Sequence, residues 1–289
     1  MSAPARATRF ALLALATLAM SPFTPSVAGA QSLWMPRDGR HAISLEMLRP
    51  NIEGQDAEFF SAAFFLSGRF AATPAFSVIA EVPYARFRSE TGYIVPGGYL
   101  YGTIFEDYYS PSTTLGNPYI GIEAAFPGTP IFLELGGRPP IASDGEYNAQ
   151  FVGSVSDVSR LFAFTERYAS VRVGFNLYEV TPSRMSYRFR LSPFVAIPSE
   201  GYSDTEIFTD YSLQLGYQGS VARFGMGVAG MLLMTQGGSN LGERNLAQLE
   251  LHGDFLSGPI RPGVDVHLPL DYFAQDVPVV VGASLTWMR

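Results

Sequence analysis

The stretch Val279-Val280-Val281-Gly282-Ala283-Ser284-Leu285-Thr286-Trp287-Met288-Arg289 ends the chain. Successive side chains of a strand point to opposite faces. One face here carries Val279, Val281, Ala283, Leu285 and Trp287; the other carries Val280, Gly282, Ser284, Thr286 and Met288. The first is apolar, the second small and mostly polar. A final strand of this length suits the closing strand of a membrane β-barrel, where lipid touches one face, the lumen the other, and no sheet edge stays open in hydrocarbon.

Eleven earlier segments repeat the pattern, each about as long as a tilted strand needs to cross a bilayer. They are 41–49, 59–71, 75–88, 117–126, 131–139, 168–180, 184–197, 206–218, 222–235, 245–256 and 260–270. In the sixth, Val171, Val173, Phe175 and Leu177 oppose Ser170, Arg172, Gly174 and Asn176. Phe65, Met231 and Leu233 break the alternation, falling on nominally polar faces where they are expected to meet a plug or one another. The links alternate in length. Those at 72–74, 127–130, 181–183, 219–221 and 257–259 are tight turns; those between them are long. Together these features predict an all-β fold, a 12-stranded antiparallel transmembrane β-barrel with short periplasmic turns and long extracellular loops.

Alternation alone does not say which face looks inward, but size does. Eight strands already leave an interior that side chains can fill, so twelve with an apolar interior would be too wide to pack. Phe70, Phe76, Phe126, Tyr217, Phe224, Phe255 and Trp287 all fall on the apolar face beside the short turns, as an interfacial aromatic girdle does. Phe60, Tyr84 and Tyr272 are candidates for the opposite girdle.

Composition agrees. Of 289 residues, 47% are hydrophobic and only 16% charged, against about a quarter charged in a usual soluble domain. Residues 1–30 read as a secretory signal peptide: Arg6 and Arg9, an apolar run from Phe10 to Met20, then Ala28-Gly29-Ala30 before Gln31. The barrel is then 31–289, exported to the outer membrane, with its lipid and the barrel-assembly machinery as partners. Cysteine is absent, so stability must come from burial and backbone pairing. No basic tract is present, which argues against nucleic acid. Oligomeric state is not legible.

Inside the lumen the pattern places Glu46, Arg69, Glu81, Glu123, Glu134, Arg138, Arg172, Arg188, Arg190, Asp210, Glu250, His252, Asp254, Arg261, Asp265 and His267. Two readings stand side by side. Carboxylates and guanidinium groups pair across neighbouring strands and stiffen the wall; or Arg172, Arg188 and Arg190 form a positive strip that selects anionic solutes. His252 with Asp254, and His267 with Asp265, lie two apart on one strand face, too loose for a shared metal and lacking a third ligand. No cofactor is expected. Catalysis is disfavoured, since no Ser-containing nucleophile motif accompanies the three histidines and none of them lies in a loop.

Two loops carry further signals. Tyr93, Tyr99, Tyr101, Phe105, Tyr108 and Tyr109 either pack their loop on itself or offer a stacking surface to a solute at the mouth. The segment 154–164 reads as a short helix, with Ser154 as N-cap and Asp157 at N3, that folds into the barrel and narrows it.

The motifs Glu81-Val82-Pro83-Tyr84, Gly116-Asn117-Pro118-Tyr119-Ile120-Gly121-Ile122-Glu123 and Gly136-Gly137-Arg138-Pro139-Pro140 resemble outer-membrane transporters of the phenol-degradation (MetA-pathway) type. By motif the resemblance covers roughly residues 76 to 140. It implies an exported barrel that passes small, often aromatic or hydrophobic, molecules without catalytic residues. The function expected is therefore passive passage of such small-molecule solutes through a narrow polar lumen. The alternatives are a structural or adhesive barrel with a sealed lumen and partner-binding loops, and an outer-membrane hydrolase.

Overall fold

The computed structural model of the chain describes residues 41–52, 60–88, 111–199, 204–235, 241–270 and 277–289. The signal peptide, the loop aromatics from Tyr93 to Tyr109 and Tyr272 lie outside these residues. Thirteen strand segments follow one another: β1 (Ala42–Asn51), β2 (Ala62–Ala71), β3 (Phe76–Phe87), β4 (Ser112–Leu115), β5 (Tyr119–Ala125), β6 (Ile131–Arg138), β7 (Tyr168–Val180), β8 (Met185–Pro198), β9 (Glu206–Gln218), β10 (Ala222–Leu233), β11 (Asn245–Phe255), β12 (Ile260–Pro269) and β13 (Val279–Met288). Both β4 and β5 pair with β3, at successive stretches of it, so they are one barrel strand broken at Gly116-Asn117-Pro118. The result is a closed, 12-stranded antiparallel barrel.

Closure runs through the terminal strand. β13 pairs with β12 on one side and with β1 on the other, from Ala42 opposite Met288 to Asn51 opposite Val279. No edge is left over, which is what hydrocarbon demands of a spanning sheet. Along β13, Val281, Ala283, Leu285 and Trp287 are exposed on the outside, while Val280, Gly282, Thr286 and Met288 are buried within. The same alternation rules elsewhere: Leu213 and Leu215 face out, Ser212 and Gln214 face in. All seven aromatic residues of the short-turn girdle are exposed on the outer surface.

One segment lies inside. Between β6 and β7 the chain forms α1 (Tyr147–Ser156) and a 3-10 turn (Val158–Ala163), which sit in the long-loop half of the lumen. This corrects the position expected for the helix. It starts seven residues earlier, Ser154 lies within α1, and Asp157 caps the 3-10 turn instead, accepting from the Ser159 N–H. Apolar side chains face it from the wall on both sides. Val152, Val155 and Phe164 pack with Leu48, Phe65, Phe87 and Val280; Val158 packs with Phe194, Ala196 and Met231. Phe65 and Met231 are thus apolar on a polar face because the insert covers them. At roughly 1.5–3 kcal/mol for each large side chain buried, this packing holds the insert by several kcal/mol before any polar contact is counted.

Candidate functional site: the lumen and its insert

Most charged side chains predicted to face the lumen are buried there. Some of them hold the insert, and others tie the wall to itself.

Arg160, on the 3-10 turn, reaches one side of the barrel. Its guanidinium lies 2.7 Å from Glu46 on β1 and 3.1 Å from Glu81 on β3, and 4.1 Å over the ring of Phe65. Burial would weaken its charge, but Glu46, Glu81 and Asp157 outweigh that and hold its pKa above the usual arginine value. The junction of α1 and the 3-10 turn is fastened to β11 and β12. Gln248 on β11 accepts from the Val158 N–H (3.0 Å) and donates to Asp157 (3.3 Å) and Glu250 (2.7 Å). On β12, His267 Nδ1 lies 3.2 Å from the Ser156 carbonyl oxygen. Burial pushes the Asp157 carboxyl up, yet Arg160, His267 and the hydrogen bonds from Ser159 more than offset it and leave the pKa below the usual carboxylate range.

Asn117, fully buried at the break between β4 and β5, clips the return of the insert. Its amide donates to the carbonyls of Phe162 (3.1 Å) and Thr165 (2.7 Å) and its oxygen accepts from the N–H groups of Ile141 (2.7 Å) and Ala142 (2.8 Å). All four hydrogen-bonding positions of an asparagine side chain are filled. Its own N–H donates to the Ala163 carbonyl (2.6 Å), and Arg138 donates to its carbonyl (2.6 Å). The ladder breaks at Asn117 because its N–H serves the insert, while the Gly116 N–H still donates to Pro83 of β3 (2.9 Å). A Cβ at Gly116 would run into the Ala163 carbonyl, so only glycine fits that approach.

Along the wall the pairing follows a rule that strand order alone does not contain. Arg69 on β2 meets Glu123 on β5 at 3.1 Å; Glu134 on β6 meets Arg190 on β8 at 3.1 Å; Arg172 on β7 meets Asp210 on β9 at 2.5 Å. Arg138 on β6 likewise reaches past β5 to Glu81 on β3 at 2.6 Å. Each of these pairs skips one strand, which differs from the expected pairing between neighbours. The reason lies in the register: Glu123 and Glu134 stand directly opposite each other, a repulsive arrangement, and the inward curve of the wall brings arginines from the next strand over within reach. Two pairs do join neighbours, Arg223 with Asp254 (2.8 Å) and His252 with Asp265 (2.6 Å). His252 also contacts Asp254 at 3.1 Å, whereas His267 turns to the insert and not to Asp265. Among the described residues, no three such groups converge as metal ligands would. Arg261 faces the lumen from the short-turn end of β12, half-buried.

The three arginines expected to form a strip are therefore not equivalent. Arg172 and Arg190 each have a carboxylate. Arg188 lies over the ring of Tyr178 at 5.0 Å. Sequence reasoning missed Asn117, Arg160 and Gln248, which do most to fix the insert; the Gly-Asn-Pro interruption of an otherwise continuous strand was the one signal available.

No family model matches the chain, and no curated protein matches it. Among solved structures it is similar to the COG4313 outer membrane channel from Pseudomonas putida F1, at 8% identity and a TM-score of 0.57, covering 92% of this chain and 100% of that one. LpxR from Salmonella typhimurium (10% identity, TM-score 0.48, covering 86% and 100%) is more distant. What the first likeness establishes is the fold, a closed antiparallel β-barrel.

Proposed function

We propose that this barrel lies in the outer membrane and passes small solutes passively, aromatic or hydrophobic ones included, through a narrow polar lumen whose long-loop half is obstructed by the insert. The observation that carries this reading is the insert itself. It is a discrete segment, attached at one rim, held by side-chain contacts, and lying across a lumen lined with charged and polar groups. The exposed ion pair between Asp144 and Arg167 (2.7 Å) joins the two ends of the segment at its neck. Non-helical backbone at membrane depth is tolerated where it borders such a polar cavity.

The same packing favours a second reading, in which the lumen is sealed and the barrel serves as a structural or adhesive element. Liposome swelling separates the two. The passage reading expects wild-type protein to admit small solutes slowly, and a variant lacking residues 148–162 to admit them several-fold faster. Absence of swelling with both proteins would select the sealed barrel.

A further inference from the structure

Taking the passage reading as its basis, we propose that the short-turn half of the lumen holds a carboxylate-binding subsite centred on Arg188, so that the solutes retained there are small organic acids. Arg188 is 7% exposed. Among the described residues no carboxylate oxygen lies within ion-pair distance of it, because the acids nearby are engaged: Glu123 with Arg69, Glu134 with Arg190, Asp254 with Arg223. A buried cation left in this way is costly unless an anion meets it.

The surroundings fit an anion. Arg188 lines a pocket with Tyr178, Ser186, Gln214 and Arg223, together with the wall residues between them. Its volume is about 20 Å3, room for about one oxygen-sized atom, so one carboxylate oxygen enters beside the guanidinium while the rest of the solute stays in the lumen. Across the register, Ser186 stands opposite Gly216, Gly216 opposite Gly225, and Gln214 opposite Gly227. Glycines on the lumen face keep the wall thin beside the guanidinium. The Tyr178 ring holds that guanidinium by a cation–π contact, and the paired N–H groups of an arginine edge match the two oxygens of one carboxylate. Ser186 and Gln214 supply further donors. A second full cation is lacking, since Arg223 is committed to Asp254, so a singly charged acid suits the site better than a phosphate.

Calorimetric titration of the full chain in detergent with benzoate, and with benzyl alcohol as its neutral counterpart, tests this. Wild type should bind benzoate and discriminate against the alcohol; Arg188→Gln should weaken benzoate binding roughly tenfold or more, the loss of a charge-assisted pair, and Arg188→Lys should restore part of it. Removing an unpaired buried cation should not endanger folding. Crystals of the wild type soaked in 4-bromobenzoate give an independent readout, with an anomalous bromine peak expected beside the pocket. Equal benzoate affinity in wild type and Arg188→Gln, equal affinity for acid and alcohol, or a bromine peak elsewhere would overturn the subsite. Swelling in benzoate without preferential binding would leave passage standing and remove the subsite; binding without swelling would do the reverse.

Discussion

Two side chains decide whether the insert stays in the lumen. Removing the Asn117 side chain takes a partner from the carbonyls of Phe162 and Thr165 and from the N–H groups of Ile141 and Ala142, at about 1–3 kcal/mol for each buried group left unsatisfied. Asn117→Ala should therefore loosen the insert by roughly 3 kcal/mol or more, read as faster protease cleavage within residues 141–165 while the heat-modified mobility of the barrel is retained. Arg160→Ala leaves Glu46, Glu81 and Asp157 without their shared cation, a loss on the order of 3–5 kcal/mol, and should raise conductance in planar bilayers. The Asp157 carboxyl supplies a pH dependence. Its pKa is held below the ordinary value near 4 when the insert is docked, so its contribution to docking is complete above that value and is lost as pH falls through the depressed pKa. Conductance should then rise as the pH falls below about 4. These residues were hard to find by reading the chain, because an asparagine in a Gly-Asn-Pro turn looks like any turn former and an arginine in a loop looks solvated.

The strands were legible and so was the inward-folding segment, but the bounds of its helix were not, for opposite reasons. Every strand of the barrel has one face in lipid and one in a polar lumen, which writes a period of two into its sequence. Tyr211, Leu213, Leu215 and Tyr217 against Asp210, Ser212, Gln214 and Gly216 can be read in no other register. α1 instead buries Ala149, Gln150, Val152, Gly153, Val155 and Ser156 on several sides at once, so it has no single apolar stripe and no clear helical period. Its boundaries were then assigned from a cap signal that belongs to the turn after it. The close fit of α1 and the 3-10 turn yields another expectation: a Cβ at Gly153 would enter the Phe164 ring, so Gly153→Leu should displace the insert and enlarge the pore, measured as a conductance approaching that of the variant lacking residues 148–162.

Across the whole molecule, the ion pairs that skip a strand depend on barrel curvature, which no strand-by-strand reading supplies; that is why the lumen residues were identified but their partners were not. The outward face governs stability in lipid. An arginine at Leu213, exposed on the outside of β9, should destabilise the barrel by roughly 2–4 kcal/mol if it lies near the bilayer midplane, seen as a lower denaturant midpoint in vesicles, whereas the same residue on a soluble surface would be nearly neutral. The most direct measurement uses the absence of cysteine. Nitroxide labels placed through Leu213→Cys and Gln214→Cys in the reconstituted chain report what each face touches. The label at 213 should be relaxed by oxygen dissolved in lipid and protected from a water-soluble nickel complex, and the label at 214 should show no such exposure to lipid. A label at 214 in lipid, or one at 213 in water or packed protein, would contradict the barrel's orientation and everything inferred from its lumen.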